Sequence, residues 1–180
     1  YHNYQLSGKR ENAKLILSKG QAAPAFYATL EEYRLIKKNS ADSFRQINSK
    51  FQTHPYINIK YNMYASGSLG QGLSFGCGIA LGLKLRNKKR KVFVLVGDGE
   101  MQEGQIWEAL LFASHHKLNN LYLLIDKNNI QDFDFVDNII SLGQLSTKIK
   151  SFGFDVNTCE KGNNLKQINK FFVFKNSKKP

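Results

Sequence analysis

The sequence predicts an α/β fold with one parallel sheet flanked by helices. Three observations carry that expectation. Residues 92–96 and 121–125 are near-continuous apolar runs, as strands covered on both faces should be. Residues 106–117 between them have the length and apolar spacing of a helix. Strand, helix and strand at this spacing make a right-handed crossover that joins parallel neighbours.

The remaining elements follow in order. Residues 13–18 read as the tail of a buried segment. Residues 22–37 read as a helix, with Ala25, Phe26, Leu30, Tyr33 and Leu35 near the 3.6 period. Residues 40–64 are irregular and polar, a long loop around His54-Pro55. Residues 69–85 form a helix rich in glycine and alanine, with Gly70, Gly72, Gly76, Gly78 and Gly82. Each interior glycine costs about 1 kcal/mol relative to alanine. Such a run calls for close approach to another backbone, or to a ligand at the helix N-terminus. Residues 136–149 hold a short helix, 152–156 read as a third strand, and 164–174 as a closing helix. No internal repeat or low-complexity tract stands out.

Composition narrows the function. The chain has 180 residues, 42% apolar and 22% charged, which suits one domain with a buried core. Cys77 and Cys159 are far apart, arguing against a disulfide scaffold or zinc cluster and for a reducing, cytoplasmic setting. No apolar run approaches the roughly 18 residues of a membrane span, and YHNYQLSGKR lacks the apolar centre of a secretory leader. Membrane association is therefore not expected. The net charge of +12 invites a nucleic-acid reading. Its lysines and arginines are scattered, however, and the clusters at 88–91 and 175–179 have no interleaved stacking aromatics. A lysine-rich solvated surface explains them better.

The chemistry gathers at Asp98, a carboxylate between Gly97 and Gly99 directly after the first apolar run. Asn128 stands thirty positions later, just past the second run. One crossover unit returns the chain to the same edge of the sheet, beyond the carboxyl ends where such folds place ligands. A carboxylate and an amide oxygen are hard donors, suited to magnesium or calcium. So few protein oxygens leave the ion to complete its shell from water and a substrate or cofactor phosphate. Gly97 and Gly99 leave bare backbone against which a diphosphate can lie. Glu103 and Gly104 then open a helix, with the acid where the helix dipole favours it.

The string GDGEMQEGQIWEAL followed by NNLYLLIDKNN resembles the thiamine diphosphate motif, and its EGQIWEA part resembles transketolases in particular. ASGSLGQGLSFGCGIALGLKL is similar to that family's glycine-rich helix, and LILSKGQAAPAFYATL to its SKGHA segment. The resemblance runs with interruptions from about Leu15 to Phe154. A deoxyxylulose phosphate synthase, in the wider family, fits EGQIWEA less well.

This resemblance implies a thiamine diphosphate-binding fold and a set of roles. Asp98 and Asn128 would hold Mg²⁺ by their side chains, with the Ile130 carbonyl as third protein ligand. Gly99 would touch the diphosphate. Gly67, Ser68 and Leu69 would meet the pyrimidine side of the cofactor across a dimer. His54, in THP where the family usually has GHP, would face the substrate. Glu103 would join an interfacial acid network linking two cofactors. The reaction implied is transfer of a two-carbon ketol unit from a ketose to an aldose, with the cofactor as electron sink.

Bland readings remain beside these. Asp98 and the Asn128-Asn129 pair can serve as turn residues, and His54 before proline as a surface histidine. His115, His116, Trp107 and Cys77 read as structural. Gln21 stands where the family has histidine; it can still donate to a phosphate but cannot shuttle a proton near neutral pH. The segment with a further active-site histidine and the domain with the cofactor-activating glutamate are expected to lie outside these 180 residues. The expectation is a single, partial diphosphate-binding domain over residues 1–180. It would work with a companion C-terminal subunit or domain, through which it dimerises, on sugar substrates. The alternatives are a truncated or decayed, non-catalytic fragment and, from another class, a basic binding module.

Overall fold

The computed structural model describes residues 13–57, 64–171 and 179–180. Its centre is a three-stranded parallel sheet, ordered β1-β2-β3, with β1 at Lys14–Leu17, β2 at Val92–Gly97 and β3 at Leu121–Asp126. The register pairs Ile16 with Val94 and Gly97 with Asp126. The segment expected only as the tail of a buried stretch is thus an edge strand. Helix α1 spans Ala23–Glu32, α2 Gln71–Leu85 and α3 Gly104–His115. Three short helices follow: α4 at Val136–Ile139, α5 at Leu145–Ser151 and α6 at Leu165–Phe171.

The β-branched run of β2 is the spine of the core. Val92, Val94 and Val96 are fully buried, and Ile16, Leu73, Ile106, Leu110 and Leu121 pack around them. Helices α2 and α3 touch through Cys77, whose Sγ donates to the Ala109 carbonyl at 3.6 Å. The glycines of α2 divide by their surroundings. A Cβ on Gly72 would collide with Ser18 and lie 3.0 Å from its Cα, and one on Gly76 would collide with Val94. At Gly78 and Gly82 the space is open.

Helices α1, α2 and α3 share one ending. The amides of Leu35, Lys88 and Leu118 reach back to the carbonyls of Leu30, Leu83 and Ala113, while Arg34, Asn87 and Lys117 take positive φ. This closing motif satisfies carbonyls the helix leaves orphaned. It also explains why α1 stops at Glu32 and not near 37. The apolar spacing beyond that point reflects Leu35 and Ile36 packing on a second cluster, around Ala23, Tyr27 and Leu30.

The second cluster anchors the long loop. Phe51 meets Tyr27 edge-on at 5.1 Å, and the Tyr27 hydroxyl donates to the Gln52 carbonyl at 2.8 Å. Burial, then the nearby Tyr56, pushes that hydroxyl up to about 12. His54 therefore follows a segment that is packed down, despite its lack of regular structure.

Two expectations need correction. Residues 152–156 form no strand. Gly153 turns the chain with φ 92°, where a Cβ would collide with Ser114, and Phe154 is buried by packing into the main core. Its apolar pattern came from core contact, not from a ladder. The 136–149 stretch holds two short helices where one was expected, separated around Gly143 with φ 53°. The closing helix starts one residue late, and 172–174 lie outside the described residues.

Candidate functional site

The carboxyl edge of the sheet is where the predicted residues converge. Because Gly97 pairs with Asp126, the chain leaves β2 and β3 side by side, and the Asp98 amide donates to the Asp126 carbonyl at 3.2 Å. Asp98 is buried, 2% exposed. One carboxylate oxygen accepts from the Gly99 amide at 3.1 Å and the other from the Asn129 amide at 2.7 Å. That second bond ties the segment after β3 directly to the aspartate after β2.

Asn128 is exposed beside it, its Oδ1 accepting from the Ile130 amide at 3.0 Å. Asn129 takes φ 63°, a left-handed conformation that asparagine tolerates. A bridge between Ile130 and Phe135 closes the loop. Asp98, Asn128 and Ile130 therefore occupy one corner. Gly99 opens the turn Gly99–Gln102, where a Cβ would fall 2.8 Å from the Gln131 amide oxygen.

A second group stands across the sheet edge. Gln21 is exposed on the turn Gly20–Ala22 that follows β1. His54 folds against that turn, so that a Cβ on Gly20 would strike its ring and lie 2.6 Å from Ser66 Oγ. Ser66 leads directly into Gly67 and Ser68, both exposed, and half-buried Leu69. The Leu69 carbonyl accepts from Gln105 Nε2 at 2.7 Å, fixing this loop to the start of α3. Glu103 is exposed at the N-cap of α3, its Cβ 2.8 Å from where one on Gly70 would sit.

Sequence reasoning missed four side chains here. Glu100, 3% exposed, accepts from Ser18 Oγ, from the Gly70 amide at 2.8 Å and from the Gly97 amide at 3.3 Å. Lys19 spans the sheet edge to Asp126, Nζ to Oδ2 at 2.7 Å, with its stem over Gly97. Ser66 Oγ is buried and has no hydrogen-bond partner among the described residues. A usable signal existed for all four, since each sits inside one of the motif strings.

The donor set suits a hard divalent cation with an anionic ligand. It offers a buried carboxylate, a neighbouring amide oxygen and an exposed backbone carbonyl. An orphaned buried hydroxyl on the opposite side is what a ligand reaching across the edge would satisfy. Among the described residues no cluster of three histidine, cysteine or acidic side chains stands ready to hold an ion without such help.

The chain is 36% identical over 157 residues to a protein of Actinobacillus succinogenes named as one subunit of apulose-4-phosphate transketolase, covering 85% of this chain and 55% of that protein. It is 40% identical over 124 residues to human transketolase, covering 68% of this chain and 20% of that one. The crystal structure of Campylobacter jejuni transketolase superposes with a TM-score of 0.87 at 31% identity, over 94% of this chain and 28% of that chain. The chain thus spans about half the length of the apulose-4-phosphate transketolase subunits it matches and about a fifth of the longer transketolases. The profile described as transketolase, thiamine diphosphate binding domain matches residues 8–180, and the chain belongs to the transketolase family.

Proposed function

We propose that this chain is the diphosphate-binding part of a transketolase-type enzyme, a partial domain that takes Mg²⁺ and thiamine diphosphate at the carboxyl edge of its sheet. The observation that carries this reading is the 2.7 Å bond from the Asn129 amide to Asp98, which draws both loop ends to one corner. Asp98, Asn128 and the Ile130 carbonyl would hold the metal, and Gly97 and Gly99 would leave backbone open to the diphosphate. Gln21 would donate to the cofactor from the β1 side. Gly67, Ser68 and Leu69 would flank its far end. His54, held half-buried against Gly20, would face the sugar, and exposed Glu103 would meet a partner's acid network.

When bound, the cofactor supplies the carbanion and electron sink for moving a two-carbon ketol unit between sugars. The protein's own share is positioning. A buried Asp98 fixed by two amides needs little reorganisation to receive an ion, and the packed-down His54 loop sets the distance from sheet edge to substrate.

The reading includes a companion C-terminal subunit or domain, with dimerisation through it. Two relatives are themselves named as single subunits of a transketolase, which supports that arrangement. A cytoplasmic setting is proposed from the two free cysteines. Among the described residues, no helix is long and apolar enough to cross a membrane.

The test is calorimetric titration of thiamine diphosphate into the full chain co-purified with its companion, with and without Mg²⁺. Uptake should require the ion and fall about 100-fold or more in Asp98→Ala, since even outer-shell losses at metal sites cost 10–100-fold. Equal uptake by that variant would overturn the assignment.

A further inference from the structure

We propose that Glu100 is a positioning residue, whose carboxylate latches the ends of β1 and β2 and the start of α2 together beneath the cofactor site. The inference rests on the function proposed above and names a residue that reading does not use.

The starting observation is a cost. Glu100 is 3% exposed at a sheet edge expected to receive an anionic ligand. Burying a carboxylate there is unfavourable unless it is fully hydrogen-bonded. Its three donors are all neutral: the Ser18 hydroxyl, the Gly70 amide and the Gly97 amide. Three such bonds make a buried carboxylate tolerable. They also join segments 82 and 30 positions away in the chain.

Each donor adjoins a stretch that carries site residues. Ser18 precedes the turn with Gln21, Gly70 follows Gly67, Ser68 and Leu69, and Gly97 precedes Asp98. Packing makes the latch tight, because Ser18 lies directly against Gly72 in the first turn of α2. The charge is felt locally as well: the Tyr64 hydroxyl is pushed up first by burial and then by Glu100. Asp98 holds the remaining loop, at 128–130, through the Asn129 amide. Two neighbouring acids thus divide the work, one holding the metal corner and the other the loop that flanks the rest of the ligand.

Glutamine cannot replace this glutamate. One carboxylate oxygen takes two donors and the other takes one. An amide offers a single acceptor oxygen and turns an NH₂ group toward a donor. Whichever way the amide turns, its NH₂ group faces either the Gly70 or the Gly97 amide, so Glu100→Gln opens the latch at that end while Asp98 keeps its own two amide donors.

The experiment titrates two ligands, inorganic pyrophosphate and thiamine diphosphate, with Mg²⁺, into the full chain with its companion. For Glu100→Gln, thiamine diphosphate affinity should fall about 10–100-fold, the loss typical of supporting residues around a metal site, and pyrophosphate affinity about threefold or less. Ser18→Ala keeps the carboxylate and removes one donor, so it should shift the same ratio in the same direction by less. It also serves if Glu100→Gln does not fold. An unchanged ratio in both variants, whatever happens to the melting temperature, would overturn the proposal and leave the metal site standing. If the wild type takes up neither ligand, the proposed function falls and this inference with it.

Discussion

Asp98 and Glu100 sit two residues apart, both buried, and the sequence revealed only one of them. Asp98 was legible because a carboxylate between two glycines after an apolar run has few purely structural uses. Asn128 was legible by its distance, one crossover unit on. Glu100 was hidden because a linear string draws the eye to Glu103, the acid that opens α3, and does not show that Glu100 is the buried one. Which acid turns inward is decided by the turn Gly99–Gln102, a local geometry no periodicity reports. Lys19 was hidden because its partner Asp126 is remote in the chain, and Ser66 because a linear string does not show that its hydroxyl is buried. Cys77 was read correctly as a packing residue. Burial holds its thiol up at about 12, from an ordinary 9.0. The folded chain keeps that proton more tightly than the unfolded one. The associated stability is present below pH 9 and is lost as pH rises toward 12. At pH 8 a thiol reagent should label half-exposed Cys159 in the native chain and reach Cys77 only after denaturation. Mass spectrometry of the native protein with both thiols modified would contradict this.

At the scale of elements, periodicity and apolar runs located the long helices and the strands β2 and β3. The failures occurred where an apolar pattern served packing and not hydrogen bonding. The 152–156 stretch read as a strand because Phe152, Phe154 and Val156 alternate, yet the alternation ends against α3 after a left-handed Gly153. The glycines of α2 show the same division. Alanine at Gly76 would gain about 1 kcal/mol of helix propensity but would press on Val94 in the central strand, and overpacking costs about 1–3 kcal/mol. Alanine at Gly78 meets open space and should keep the gain. Thermal melts of the two variants should therefore separate, with Gly78→Ala at or above the parent and Gly76→Ala below it. Coincident melting temperatures would mean that α2 yields at Val94 without cost.

The whole molecule is a small parallel sheet whose middle strand is sealed and whose outer helices are not. Phe75 and Leu85 on α2 and Leu111 and Phe112 on α3 are exposed, as large apolar side chains rarely are in numbers without a purpose. The family and the fold class were legible from motif order and crossover spacing. The proposed companion rests on resemblance alone, because composition cannot say what covers a surface. If the proposed assembly forms, Leu111→Asp should weaken it tenfold or more, since a charge in a desolvated contact costs several kcal/mol. The melting temperature of the chain by itself should stay nearly unchanged, because Leu111 is 61% exposed there. Sedimentation of the co-expressed mixture measures the first effect, and undiminished association would remove α3 from the interface.

Trp107, the only tryptophan in the chain, donates its indole N–H to the Met101 carbonyl at 3.0 Å and rests on Phe152 at 5.4 Å. Met101 belongs to the turn that begins at Gly99, so a single fluorophore is wired to the backbone beside Asp98. If the proposed ion and its anion bind, emission from that indole should follow the shift of the turn. The protein carries its own unlabelled optical gauge of occupancy.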